Sequence, residues 1–309
     1  MNGEQRTMNK ILLKNCLYGS SFIVHGSSFF KRHLMELYRR FKKHRMGLVG
    51  IGVLTVLVLA GIFAPFIAPK DPFQMDFGSA LAPPSITHLM GTDHLGRDLL
   101  SRVIYGARIS LVVGLGSVII AALLGGLGGL IAGYFGRRVD IFIMRVLDVV
   151  WAFPPVLLAL ALIAVWGPSL YTLIFSIGVV SIPQYARIVR SSVLSVKEKD
   201  YILAATASGI GRFRIMFTHV LPNVLAPLIV VATLGLATSV MIEAILSFLG
   251  LGMQPPDSSW GLMISEGQKY IRTFPYYSIF PGLMIMITVF AFNAVGDGLR
   301  DAWDPKLKT

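Results

Sequence analysis

Long apolar runs separated by short polar stretches form the hydrophobic pattern from about residue 46 to residue 295. Six runs are long enough to cross about 30 Å of hydrocarbon as helices rising about 1.5 Å per residue. They span residues 46–68, 109–135, 141–166, 170–188, 224–249 and 278–295. Pro154 and Pro155 are expected to kink or break the third run. The pattern predicts an all-α polytopic membrane protein with six transmembrane helices.

Composition supports this fold class, because 54% of the 309 residues are hydrophobic and only 14% are charged. Such a balance excludes an ordinary soluble globular protein. The net charge of +12 could indicate a nucleic-acid partner, but the basic residues sort by loop. Of the 28 Lys and Arg residues, 22 fall on the side that carries both termini and the 189–223 loop, and six fall on the other. This bias predicts cytoplasmic termini and no nucleic-acid partner.

Residues 1–45 are predicted to form a basic cytoplasmic segment that binds membrane lipid. Positions 31–45 hold seven Lys or Arg residues against one Glu, directly before the first apolar run. That arrangement is typical of an anchor on anionic lipid. The apolar patch at 17–30 is too short and polar for a span or a cleavable signal. Cys16 is the single cysteine, so no intrachain disulfide can form.

The loop at 200–223 is predicted to fold as a short helix, a tight turn and an amphipathic helix outside the bilayer. The first helix begins at Asp200 and Tyr201, and Gly209 is placed where a left-handed cap would end it. The second helix places an apolar stripe along one face and is expected to end at Pro222. The stripe consists of Phe213, Met216, Phe217 and Val220, with His219 on its flank.

Two interpretations of this loop remain open from spacing alone. The small side chains of Ala204 and Ala205 would let another backbone approach closely, as docking into a groove of a partner requires. Alternatively, the loop rests on lipid headgroups.

Several stretches resemble one family. Ala204-Ala205, Gly209 and the run His219-Val220-Leu221-Pro222 are similar to the signature loop of ABC-importer permeases, although Leu203 stands where that pattern usually has Glu. The stretches GTDHLGRDLLSRVIYGARISL, LSFLGLGMQPPDSSWG and FPGLMIMITVFAFNAVGDGLRDAWDPKLK resemble the dipeptide, oligopeptide and nickel branch of these permeases.

The resemblance implies a permease that imports peptides across the cytoplasmic membrane of a prokaryote, with nickel or glutathione-like substrates as alternatives. It divides the chain into a first helix at 46–68, an external segment at 69–107, a five-helix core at 108–298 and a cytoplasmic tail at 299–309. The implied partners are a second homologous permease, two ATP-binding subunits and an extracytoplasmic binding protein. The 200–222 loop would couple the ATPases to transport.

The chain itself offers no site for ATP chemistry. It contains no G-x-x-x-x-G-K-[ST] loop and no Gly-Lys dipeptide, so ATP and magnesium are expected on partner subunits. We expect no catalytic residue and no bound cofactor. A membrane hydrolase using His94 and Asp98 would need a further ligand or nucleophile, and an ion-coupled secondary transporter would need more intramembrane carboxylates.

Asp93, His94 and Asp98 could indicate a metal site, but a capped turn is favoured, with Asp93 as N-cap. Arg97, Arg102 and Arg108 are then expected at headgroup depth.

Arg145, Asp148 and Glu243 are candidate gate or pathway residues. Arg145 and Asp148 lie three residues apart and are expected to pair with each other. Glu243 is either a functional intramembrane carboxylate or shallow enough to reach the headgroups. Glycines at 125, 129 and 133 recur every four residues and predict close packing against a neighbouring helix.

Overall fold

The computed structural model describes residues 39–303, and within that range the fold is helical without strands. Most of the predicted basic segment at 1–45 and the end of the 299–309 tail lie outside the described residues. The helices are α1 (Arg45–Ile62), α2 (Ala64–Ile67), α3 (Leu99–Phe135), α4 (Arg137–Trp151), α5 (Pro155–Trp166), α6 (Leu170–Lys197), α7 (Asp200–Ala207), α8 (Arg212–Ile215), α9 (Leu221–Phe248), α10 (Trp260–Gly267) and α11 (Tyr276–Trp303). Short 3-10 turns occur at Phe77–Ser79 and Gln268–Tyr270.

Five helices are long and apolar enough to cross a membrane, or six if the bent pair of α4 and α5 counts as one span. The predicted break at the two prolines is confirmed, because α4 ends at Trp151, α5 begins at Pro155 and the two axes differ by 85°. Several helices run past the apolar runs that predicted them. Helix α3 begins ten residues before position 109, and α6 continues nine residues beyond position 188.

The most extensive helix interface joins α3 to α6 through the predicted glycine face. A Cβ atom at Gly125 would lie 2.6 Å from the carbonyl oxygen of Ile182, and one at Gly133 would lie 3.0 Å from that of Arg190. Only glycine lets the two backbones approach this closely. The close-packing prediction is therefore confirmed, and the neighbouring helix belongs to the same chain.

A buried apolar cluster lies where α3 and α6 end and the 200–223 loop begins. It joins side chains from α3, α6, α7, α8 and α9, so it attaches the loop to three long helices. Its buried members are Leu130, Val189, Val193, Val196, Ile202, Ile215, Met216, Val220 and Val224.

Candidate coupling surface

The 200–223 loop begins as predicted, with a short helix and a turn that lead into a second helix. Helix α7 spans Asp200–Ala207, and Gly209 follows it with φ +77°, in the left-handed region that favours glycine. The amide of Ile210 donates to the carbonyl of Ala205, which closes the end of the helix. Partial desolvation raises the pKa of the Tyr201 phenol, so this side chain stays neutral at neutral pH.

The second helix differs from the prediction at its end. Pro222 does not close it: the chain passes from α8 through a π-helical turn, Met216–Val220, directly into α9. Pro222 lies in the first turn of α9, directly after the π-helical turn. The segment from Arg212 to Phe248 is thus one apolar helical span.

The predicted apolar stripe is also divided between two environments. Met216 and Val220 are buried in the apolar cluster, whereas Phe213 and Phe217 are 66% and 50% exposed. The π-helical turn adds a residue to the helical repeat, so a pattern counted at 3.6 residues per turn loses its phase there. The prediction of a single stripe was therefore wrong.

Four large apolar side chains between residues 200 and 223 are exposed, and we refer to them together as the exposed apolar patch. Its members are Tyr201, Leu203, Phe213 and Phe217. Leu203, which stands in the place of the expected Glu, is 56% exposed and adds apolar rather than acidic surface. The two predicted small residues differ: Ala204 is exposed, whereas Ala205 packs against the buried cluster.

Contacts with α3 and α6 hold the loop in place. The ring of Phe213 meets that of Phe135 edge to face at 5.8 Å. Lys197 donates to the carbonyl of Tyr134 at 2.7 Å and to that of Gly133 at 3.2 Å, which caps the end of α3. The loop therefore packs on the end of α3 at Phe135, and Lys197 joins that end of α3 to the end of α6.

His219 lies in the π-helical turn and is half-buried. Its backbone carbonyl accepts from the side-chain amide of Asn223 at 2.7 Å. The predicted position of His219 beside the stripe is retained, although the stripe itself is divided.

Arg145 and Asp148 do not pair, which corrects the prediction. Asp148 instead accepts from Arg187 of α6 at 2.7 Å, and the Arg187 guanidinium lies 4.4 Å from the centre of the Trp151 ring. Contacts to another helix and to an aromatic face replace the local pairing. Within residues 39–303, Arg145 forms no ion pair and is exposed.

Glu243 is fully buried, so the interpretation as a shallow, headgroup-reaching carboxylate is wrong. Its two oxygens accept from Ser247 at 2.7 Å and Ser110 at 3.0 Å, and Ser259 donates to Ser247 at 3.3 Å. These hydroxyl groups join α9, α3 and the N-cap of α10. Sequence reasoning missed Ser110 and Ser259, because they are far from Glu243 along the chain and no local pattern connects them.

Comparison with known proteins decides the family. The family described as "Binding-protein-dependent transport system inner membrane component" matches residues 125–309, and "N-terminal TM domain of oligopeptide transport permease C" matches residues 34–84. The chain belongs to this family of inner membrane transport components.

Its relatives include the dipeptide transport system permease protein DppC of Alkalihalophilus pseudofirmus, 45% identical over 89% of this chain and 90% of the relative. The di/tripeptide transport system permease protein DppC of Pseudomonas aeruginosa is 44% identical over 89% and 93%, and the DppC of Escherichia coli is 45% identical over 89% and 94%. A chain of the MetNI methionine ABC transporter, solved in inward-facing conformations, shares the fold. Its TM-score is 0.52 at 20% identity, covering 67% of this chain and 97% of that one.

At the end of the helical bundle away from the 200–223 loop, buried charges form what we call the Arg102 cluster. Its members are Asp93, Arg97, Arg102, Glu266 and Tyr277. Arg102 donates to Asp93 at 2.5 Å and to Glu266 at 2.9 Å, and Arg97 also donates to Asp93. Tyr277 donates to Glu266 at 2.6 Å. Arg97 and Arg102 are buried, so the prediction that they lie among the headgroups was wrong.

The predicted capped turn is confirmed, but its two aspartates cap different elements. Asp93 accepts from the amides of Leu95 and Arg97, so it caps the turn before α3. Asp98 is the N-cap of α3 itself and accepts from the amide of Ser101. The prediction of Asp93 as the helix N-cap is therefore corrected to Asp98.

The residues that could indicate a metal site are already engaged with other groups. Asp98 pairs with His88 at 3.0 Å. Asp93, His94 and Glu266 do approach one another. Both of these carboxylates accept from guanidinium groups, however, and that positive charge opposes a metal cation.

Proposed function

We propose that this chain is the permease subunit of an ATP-driven importer of dipeptides or oligopeptides in the cytoplasmic membrane of a prokaryote. Its partners would be a second homologous permease, two ATP-binding subunits and an extracytoplasmic binding protein. The names of the relatives support peptides over nickel or glutathione-like substrates. The family description supports dependence on a binding protein.

The observation that carries the coupling role is the exposed apolar patch. Phe213 and Phe217 lie in the first turns of the helical span Arg212–Phe248, at the end that follows α7, and half or more of each side chain is exposed. Large apolar side chains exposed in this way are typical of a site for another protein. Because the loop packs on Phe135 of α3 and shares the buried apolar cluster with α6, it is suited to transmit force.

The distribution of Lys and Arg supports cytoplasmic termini and a cytoplasmic 200–222 loop. The chain has no phosphate-binding loop, so ATP and magnesium would bind to the partner subunits. We accordingly assign it no catalytic residue and no cofactor.

In the proposed mechanism, closure of the ATPases on ATP pushes the exposed apolar patch. The helix from Arg212 to Phe248 has no break, so movement at Phe213 passes into the span that carries Glu243. Helix α6 ends three residues before α7 begins and would move with it. Such rigid-body rotation would turn the spans between inward-open and outward-open states.

The test replaces Phe213 by Glu in the assembled transporter. The substitution places a charge in the exposed apolar patch, and we expect retention of the ATPase on the permease to weaken about 10-fold or more, equivalent to about 1.4 kcal/mol. Stimulation of ATP hydrolysis by the ligand-loaded binding protein should fall with it. Retention is measured in detergent and stimulation in reconstituted vesicles.

Phe213→Leu is the matched control, because it keeps an apolar side chain at the same position. It should retain the ATPase and much of the stimulation. Near-normal retention and stimulation in Phe213→Glu would contradict the coupling role and favour a loop that only rests on lipid.

A further inference from the structure

Helix α4 differs from the other long helices of the bundle. None of its fifteen residues, Arg137–Trp151, is buried, and its axis turns by 85° relative to α5. Helix α5 alone has 12 residues, enough for about 18 Å. The apolar run at 141–166 therefore combines two helices with different surroundings.

The side chains of α4 separate into two faces. One face is apolar and consists of Val139, Phe142, Val146 and Val149, which recur at spacings of three and four residues. The rest of the helix carries five charged residues: Arg137, Arg138, Asp140, Arg145 and Asp148. It also carries the exposed Ile141 and Trp151 and the half-buried Ile143, Met144, Leu147 and Val150. A helix with this division suits the boundary between water and hydrocarbon.

The acidic and basic residues on the polar face differ in whether they form ion pairs. Asp140 accepts two hydrogen bonds from Arg190, at 2.5 and 2.6 Å, and Asp148 accepts from Arg187. Within the described part of the chain, the three arginines of α4 form no ion pair. The helix thus offers three guanidinium groups to an anionic surface.

The same ion pairs fix the depth and direction of α4. Arg187 and Arg190 lie 17 and 20 residues after Leu170, the start of α6, or about 26 and 30 Å along that helix. The hydrocarbon of a bilayer is about 30 Å thick, so these contacts lie near its boundary. Asp140 and Asp148 are about 12 Å apart along α4, while their partners are only about 4.5 Å apart along α6. This difference indicates that α4 is inclined to α6 rather than parallel to it.

We propose that α4 is an interfacial helix bound to the leaflet at the end of the bundle where α3 and α6 terminate. The stripe Val139, Phe142, Val146 and Val149 enters the acyl chains, and Arg137, Arg138 and Arg145 contact lipid phosphates. The proposal rests on the chain spanning a membrane, and it does not depend on the coupling role of the exposed apolar patch.

The test measures the depth of single labelled positions in the assembled transporter. Val139→Cys, Phe142→Cys, Val146→Cys and Val149→Cys are made in a Cys16→Ser background, with Arg145→Cys as the control on the polar face. Each carries a nitroxide label in vesicles of three parts phosphatidylcholine to one part phosphatidylglycerol. Relaxation by oxygen, which enters lipid, is compared with relaxation by a water-soluble nickel chelate.

An interfacial helix should give similar depths at positions 139 and 149, and access to the chelate only at position 145. A membrane-crossing helix would instead give a steady change of about 15 Å between 139 and 149, which would overturn the proposal. Protection of the apolar positions from both reagents would also overturn it, because a second permease subunit would then cover this face.

The lipid-phosphate contact has its own measurement. Replacing phosphatidylglycerol by phosphatidylcholine should move the labels at 142 and 146 toward water, and Arg137→Gln, Arg138→Gln and Arg145→Gln combined should remove this lipid dependence. Equal depths in both lipids would refute the role of the arginines.

Discussion

At one end of the helical bundle the charged side chains around Arg102 are buried, whereas at the other end the aromatic side chains Phe213 and Phe217 are exposed. The Arg102 cluster pairs its charges within one chain, from the segment before α3 to α10 and α11. The exposed apolar patch finds only part of its contacts in the chain. The difference indicates that the first region stabilises the fold itself, while the second is suited to binding another protein.

The largest expected effect comes from Arg102→Ala, which would remove a buried guanidinium from both Asp93 and Glu266 and leave Arg97 as their remaining basic partner. Loss of one member of a buried charge group costs about 3 to 5 kcal/mol. We expect a marked fall in thermal stability of the purified complex. Arg108→Ala on the same helix is the control, since Arg108 is exposed and should change stability by about 0.5 kcal/mol or less. Equal effects of the two changes would mean that burial of the cluster does not determine its contribution.

A smaller effect should separate Ala205 from Ala204. Ala205→Glu forces a larger, charged side chain against the buried cluster and should lower stability by about 1 to 3 kcal/mol. Ala204→Glu faces outward and should leave stability nearly unchanged while weakening ATPase retention. Thermal unfolding and co-purification measure the two properties, and a loss of stability in both variants would place Ala204 in the fold rather than at the partner.

The smallest effect is expected from Asp148→Asn. This substitution breaks a charge pair like those of the Arg102 cluster, but here both side chains are nearly half exposed. Exposed pairs contribute about 0 to 1 kcal/mol and are screened by salt. Stability measured at low and high salt should differ little from that of the unchanged protein. A loss as large as that of Arg102→Ala would show that exposure does not explain the contrast.

Local patterns predicted the helical class, the proline break, the glycine face and the left-handed cap at Gly209, because each depends on residues close together in sequence. Partners distant in sequence could not be predicted in this way. Glu266 and Tyr277 lie 164 and 175 residues from Arg102, and Arg187 lies 39 residues from Asp148. The division of α4 from α5 was visible as two prolines, but hydrophobicity alone did not show that the two helices differ in direction.

The length of α3 has a consequence for any movement of the molecule. Its 37 residues extend about 55 Å, roughly 25 Å more than the hydrocarbon thickness. One end begins at the Asp98 cap beside the Arg102 cluster, and the other reaches Phe135 against Phe213. This single continuous helix therefore keeps the Arg102 cluster and the exposed apolar patch at a fixed separation. The two regions can tilt together but cannot approach each other.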